Sequence, residues 1–152
     1  MKSLLKFLLL GIAALSFHGA ALATDKGSAN EATALVKKAA EFMKANGKDK
    51  AYAEFNKSNG QFIDRDLYIF VFDMTGTTLA HGTNPKLLAK NLSELKDADG
   101  KQFIKEFLEV ANTKGKGWVD YKWTNPVTKA IEQKSTYVEK VGDVLVGCGI
   151  YK

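Results

Sequence analysis

From Gly117 to Tyr151 the sequence is patterned for β-strand almost without a break, and no other stretch limits the fold as much. Aromatic and β-branched residues recur through it. Two turn signals divide it, Asn125-Pro126 and Gly142-Asp143. A two-residue turn such as Gly142-Asp143 joins antiparallel neighbours. Strands are therefore predicted near Trp118–Thr124, Ala130–Val141 and Val144–Tyr151. They form a sheet that the rest of the chain must cover.

The upstream sequence supplies the cover. Ser28-Ala-Asn-Glu31 has the spacing of a capping box. Ala32, Leu35, Val36, Ala39 and Met43 then recur at helical intervals until Gly47. Lys50–Phe55 adds a helical turn, and Asn59-Gly60 is a turn. Leu67–Asp73 reads as a strand with two apolar faces, Leu67, Ile69 and Val71 on one and Tyr68, Phe70 and Phe72 on the other. Such a strand is covered on both sides. Asp73–Gly76 turns into a second strand, Thr77–His81. Pro85 opens a short helix, and Lys101–Thr113 is helical with Phe103, Ile104, Phe107, Leu108 and Ala111 on one stripe. The order predicts an α+β fold: an antiparallel sheet of about five strands, a long N-terminal helix on one face and a helical insert between the second and third strands.

Residues 1–23 are set apart as a signal peptide. Lys2 and Lys6 precede an apolar run, and Ala21-Leu22-Ala23 is a small-x-small cleavage signal. The run is short for a bilayer span. Cleavage after Ala23 leaves one domain, residues 24–152, in the periplasm, with no membrane span. Loss of Lys2 and Lys6 lowers the formal charge from +5 to +3. The remaining lysines are scattered among acids, and Arg65 is the only arginine, so nucleic acid is not an expected partner. Arg65 lies between Asp64 and Asp66 and is expected to pair locally. Cys148 is the only cysteine, which excludes an intramolecular disulfide, and it reads as a small buried hydrophobe. No nucleophile elbow, phosphate loop, metal-ligand spacing or cofactor motif is found, so neither an enzyme nor a cofactor is expected.

The chemistry-bearing residues gather on the predicted sheet. Tyr121 and Trp123 share a strand face by alternation. Lys134 is either one more surface lysine or the partner of a small anion set among aromatic rings. Lys134 and Tyr137 are three apart, so they share a face only across a bulge; otherwise only one lines a pocket. His81, the one histidine downstream of the signal peptide, ends a strand where it can reach a ligand by a hydrogen bond. Alone it is a poor metal site. Gly147 and Gly149 share a face of the last strand and are read as making room for a helix.

Taken in order, Tyr121-x-Trp123-x-x-Pro126, Lys134-x-x-Tyr137 and Gly147-x-Gly149-x-Tyr151 resemble the second half of a single Cache domain. The first half agrees: Tyr68-x-Phe70, Asp73-x-x-Gly76, His81, Pro85, Leu87, Asn91 and Asp99-Gly100 before a helix. This family comprises the PAS-like extracytoplasmic sensors of bacterial chemotaxis receptors and histidine kinases. The family often has proline after the Trp123 and His81 positions and glycine at the Ala89 position, where this chain has Thr124, Gly82 and Ala89.

The resemblance implies a PAS-like sheet and a ligand site of Tyr68, Phe70, His81, Tyr121, Trp123, Lys134 and Tyr137. Chemistry and resemblance together lead to an expected small carboxylate ligand, neutralised by Lys134 and oriented by tyrosine hydroxyls. Trp123 and Phe70 would exclude water. With no output domain after Tyr151, a stand-alone periplasmic sensor is expected, its downstream partner a membrane receptor or transporter. The rival from another class is an interaction module that has kept the fold and lost the ligand. A screen for thermal stabilisation by small metabolites separates the two.

Overall fold

The computed structural model describes residues 25–152, so the expected signal peptide lies outside the described residues. Helix α1 (Ala29–Asn46) starts where the capping box places it: the Ser28 hydroxyl accepts the Glu31 amide at 3.3 Å, and the Glu31 carboxylate accepts the Ser28 amide at 2.7 Å. Its buried stripe is Ala32, Val36, Ala39 and Met43. Gly47, at φ 81°, ends it and α2 (Lys48–Phe55) follows. A two-stranded ribbon pairs β1 (Ile63–Asp64) with β2 (Leu67–Tyr68).

The main sheet contains β3 (Phe70–Asp73), β4 (Thr78–His81), β5 (Lys116–Thr124), β6 (Ile131–Val141) and β7 (Val144–Tyr151). Its order is β4-β3-β7-β6-β5, and every neighbouring pair is antiparallel. The one strand expected over Leu67–Asp73 is two. Leu67 and Tyr68 pair with β1, whereas Phe70 onward pairs with β4 and β7, and the partner changes at Ile69. The apolar pattern runs through unbroken, so only the pairing reveals the division.

The two faces of the sheet carry separate cores. On one, α1 and α2 cover Ile69, Val71, Val146 and Cys148. On the other, α3 (Phe103–Thr113) brings Phe103, Ile104 and Phe107 onto Tyr68, Phe70, Tyr121 and Leu145. Helix α3 begins after Lys101 because the Asp97 carboxylate accepts the Asp99 and Lys101 amides, each at 2.9 Å, and holds that stretch as a turn. Between β4 and α3 the chain makes one 3-10 turn, Pro85–Leu87, and lies along the outer edge of β4. There Ala89 N–H donates to Thr78 O and Thr78 N–H to Lys90 O, both at 2.9 Å, which closes an open sheet edge. Ala89 holds φ 60° to do so, a conformation that costs an alanine about 1–2 kcal/mol.

Gly147 sits opposite Phe70 across the β3–β7 pair, and a Cβ added to it would lie 2.2 Å from Phe70 Cζ. The glycine therefore clears space for an aromatic ring on the α3 face, not for the expected helix. Ala89→Gly is expected to raise stability by about 1 kcal/mol in urea denaturation, since the left-handed strain is removed. Gly147→Ala is expected to lower it by about 1–3 kcal/mol through overpacking. Combined with Phe70→Leu, the loss should be smaller than the sum of the two single changes. Strict additivity would show that the ring does not depend on the glycine.

Candidate ligand site

The α3 face of the sheet holds a row of three side chains from adjacent strands. In register, Tyr121 of β5 stands beside Lys134 of β6, and Lys134 beside Tyr151 of β7. The register of β6 is uninterrupted from Ile131 to Val141, so alternation alone decides which of its residues face the site. Lys134, Thr136 and Val138 do. Gly149 keeps the floor open beside them, because a Cβ there would lie 2.4 Å from Lys134 Cε and 2.2 Å from Thr136 Oγ1.

Lys134 is fully buried, at 0 % exposure. Its Nζ donates to Tyr68 Oη at 2.7 Å and to Tyr151 Oη at 3.1 Å. It also lies 4.1 Å from the centre of the Tyr68 ring and 4.6 Å from that of Tyr151. Its hydrogen-bond partners are neutral phenols, and among the described residues it joins no ion pair. Burial pushes its pKa down to about 7, against the opposing influence of Cys148 and Asp66. Tyr151 gives its own proton to Thr124 O at 2.9 Å, so towards the lysine it is an acceptor. Burial holds the Tyr68 and Tyr151 hydroxyls well above the usual phenol range.

His81 faces the same side, opposite Phe70 in the β3–β4 pair. It is buried, and Nδ1 accepts the Asn84 amide at 3.1 Å and the Thr83 amide at 3.4 Å. Burial first, and the nearby Lys134 charge second, pull its pKa down to about 3. The ring is therefore neutral at physiological pH with its proton on Nε2, a fixed donor. Asn56 Oδ1 accepts the His81 backbone amide at 2.8 Å and fixes the strand end.

A cavity of about 20 Å³, room for about one water, lies over this face. Tyr68, Phe70, His81, Tyr121 and Trp123 line it, joined by Phe103 and Phe107 from α3 and by Leu87, Leu92 and Leu95 from the insert. Phe103 stacks on Tyr121 at 4.2 Å and meets Trp123 edge-on at 5.4 Å, so α3 forms the lid of an aromatic box. Lys134 does not line the cavity. It reaches it through Tyr68, which lines the cavity and takes the lysine's shorter hydrogen bond. The cavity has an apolar wall, a neutral imidazole donor, and behind Tyr68 an amine that makes no ion pair among the described residues.

Of the residues expected in the site, the structure gathers Tyr68, Phe70, His81, Tyr121 and Trp123 around the cavity and Lys134 behind it. Tyr137 is on the other face. There it pairs with Cys148, packs on Trp118 at 5.6 Å between ring centres, and donates to Glu139 Oε2 at 2.7 Å. No bulge corrects the odd spacing from Lys134, so alternation turns Tyr137 towards α1. Tyr151, absent from the expected set, belongs beside Lys134. Its position two residues beyond Gly149 and four beyond Gly147 on one strand was the signal for it. The lid residues of α3 and the insert had no such signal, because an apolar helical stripe looks the same over a cavity as over solid core. Cys148, with its thiol pushed up to about 12 by burial, lies on the face away from His81. Arg65 pairs with its neighbour Asp64 as expected, but not with Asp66; its other partners, Asp25 and Glu31, come from the start of the described chain.

Among the described residues no helix is long and apolar enough to cross a membrane. The family model for single Cache domain 2 matches residues 6–152. The chain is 30 % identical over 90 residues to the methyl-accepting chemotaxis protein McpP of Pseudomonas putida, covering 58 % of this chain and 16 % of McpP. It thus spans less than a fifth of the length of the curated relatives it matches. Among solved structures, the periplasmic sensor domain of a chemotaxis protein aligns with TM-score 0.64 at 25 % identity, over 78 % of this chain and 86 % of that one. A Cache chemosensory domain that recognises carboxylic acids aligns with TM-score 0.64 at 24 % identity, over 78 % and 84 %; at that identity the likeness is one of fold. The order of strands, the aromatic box over the α3 face and the match across nearly the whole chain lead to one assignment: this chain belongs to the single Cache domain 2 family.

Proposed function

We propose that this chain is an extracytoplasmic sensor domain that binds a short carboxylate in the aromatic box and passes its occupancy to a membrane receptor or transporter. The observation that carries this reading is the buried amine of Lys134, which has two phenols and no carboxylate for partners. A buried cation without an ion-pair partner is costly, and an anion in the neighbouring cavity offsets that cost. The neutral His81 supplies a donor that needs no second charge, and the Phe103–Tyr121–Trp123 cluster excludes water. The fold neighbour that recognises carboxylic acids is consistent with this class of ligand. A cavity of about 20 Å³ favours the smallest acids and requires Tyr68 or a lid residue to move when one enters. The same small volume also favours the rival, an interaction module of the same fold with no ligand.

Acetate, propionate, pyruvate and lactate form the test panel. Saturating ligand at about a hundred times its dissociation constant should add roughly 2.7 kcal/mol to stability, seen as a higher melting temperature. A shift with amines or sugars and none with a carboxylate would sink the assignment; no shift with any metabolite would favour the rival.

Lys134→Met keeps most of the stem and removes the amine. Its affinity for the bound carboxylate in titration calorimetry should fall about ten- to hundredfold, the value of a hydrogen bond to a charged group. Affinity unchanged in a folded Lys134→Met protein would move the anion site, with His81 next in line.

Export is part of this reading, with Thr24 as the first residue after cleavage at Ala21-Leu22-Ala23. Intact-mass measurement on periplasmic material checks it, and a membrane-bound species retaining Met1 would contradict it.

A further inference from the structure

The groups that face the Lys134 amine can be named element by element. β2 gives Tyr68 and β5 gives Tyr121, beside Lys134 in register. β4 gives His81, whose imidazole is held neutral first by burial. β7 gives Tyr151, and behind it Cys148. The corner between β1 and β2 gives Asp66, whose negative charge favours the ammonium but makes no ion pair with it. Asp66 is itself engaged elsewhere, with Oδ1 accepting the Gly27 amide at 2.7 Å. The phenols and the thiol are neutral in this interior because burial raises all of them. The imidazole is neutral because burial lowers it.

The hydrogen bonds close without any charge on the lysine. Tyr151 spends its proton on Thr124 O and accepts from Nζ. At the same 2.7 Å the Tyr68 hydroxyl, which accepts from an ammonium, can instead donate a hydrogen bond to the lone pair of a neutral amine. An ammonium in the empty site has no hydrogen-bonded counter-ion in a dry interior, the Asp66 carboxylate acting on it only from beyond hydrogen-bond reach, whereas a neutral amine needs none. When a carboxylate enters, the preference reverses, since an ammonium–carboxylate pair is neutral as a unit.

We propose that this site takes up its carboxylate together with one proton, Lys134 being a neutral amine when the site is empty and an ammonium when it is full. The balance is simple: as the anion binds, the amine lone pair gains a proton that hydronium or the buffer acid gives up, and the conjugate base stays in solution. Above neutral pH the sensor then reports the product of carboxylate and proton activities, so the same acid concentration gives a weaker signal in an alkaline medium. This rests on the reading of the site as a carboxylate site.

The test is calorimetry of wild-type protein with sodium acetate and sodium propionate from pH 6 to pH 9, in HEPES and in Tris. With burial holding the free amine at about 7, binding should take up roughly 0.9 proton at pH 8 and roughly 0.1 at pH 6. Heats in the two buffers should differ accordingly at pH 8, and the dissociation constant should rise about tenfold per pH unit above pH 8. A constant affinity from pH 6 to 9, with equal heats in both buffers, overturns proton uptake while leaving the carboxylate assignment standing. Binding of neither acid at any pH overturns both. NMR of ε-13C-labelled lysine reads the amine without any substitution. Lys134 should titrate near 7 in the free protein and stay protonated to pH 9 with saturating acetate. A free-protein titration near the ordinary lysine value of about 10.4 overturns the proposal.

Discussion

Burial of the Lys134 amine imposes conditions on much of the surrounding sequence. The stem needs a floor without side chains, and Gly149 provides it. The amine needs acceptors, and Tyr68 and Tyr151 come to it from strands on the same side of β6. Those phenols must stay un-ionised and oriented, so Tyr151 is anchored to Thr124 O. The pair of tyrosines also turns ring faces towards the nitrogen, which stabilises whatever positive charge it carries. A methionine would fill the same space with none of these requirements, so packing alone does not account for a lysine there.

The sheet can hold such a group because its two faces carry cores of different construction. Helix α1 and the Cys148 side of β7 make a conventional apolar core. The α3 side is also apolar, but its floor is cut by Gly147 and Gly149, and its rings meet at angles that leave a small void. Phe70 lies over Gly147 and touches both groups, stacking on Phe107 at 5.8 Å and lying 6.3 Å from His81. Phe70 thus connects α3 to β3, which pairs with β7, and β7 carries Tyr151. The candidate site and β7 are joined by strand pairing and by the Lys134–Tyr151 hydrogen bond. A ligand shifts these elements only by as much as it binds one arrangement better than the other.

Much of the architecture was legible because periodicity is a local property. The capping box at Ser28, the stripe of α1 and the turn at Gly142-Asp143 each follow from residues a few positions apart. The division of Leu67–Asp73 at Ile69 was not legible, since pairing partners come from elsewhere in the chain. The start of α3 was read early for the same reason: Asp97 ties down the Asp99 and Lys101 amides, and nothing in the helical pattern reveals that bond.

By itself the sequence determined an α+β sensor fold, a lysine set among aromatics, and a choice: Lys134 and Tyr137 could not share a face without a bulge. Alternation along a strand is fixed by backbone stereochemistry, so that choice could be posed from the chain alone. Only the tertiary structure decided it, by pairing β6 without a bulge, turning Lys134 towards α3 and Tyr137 towards α1. It alone also decided that the lysine is fully buried, that Tyr151 is its neighbour, and that α3 forms the lid. Burial and charge state depend on every element packed around a side chain, and the residues that pack around Lys134 are scattered from Asp66 to Tyr151.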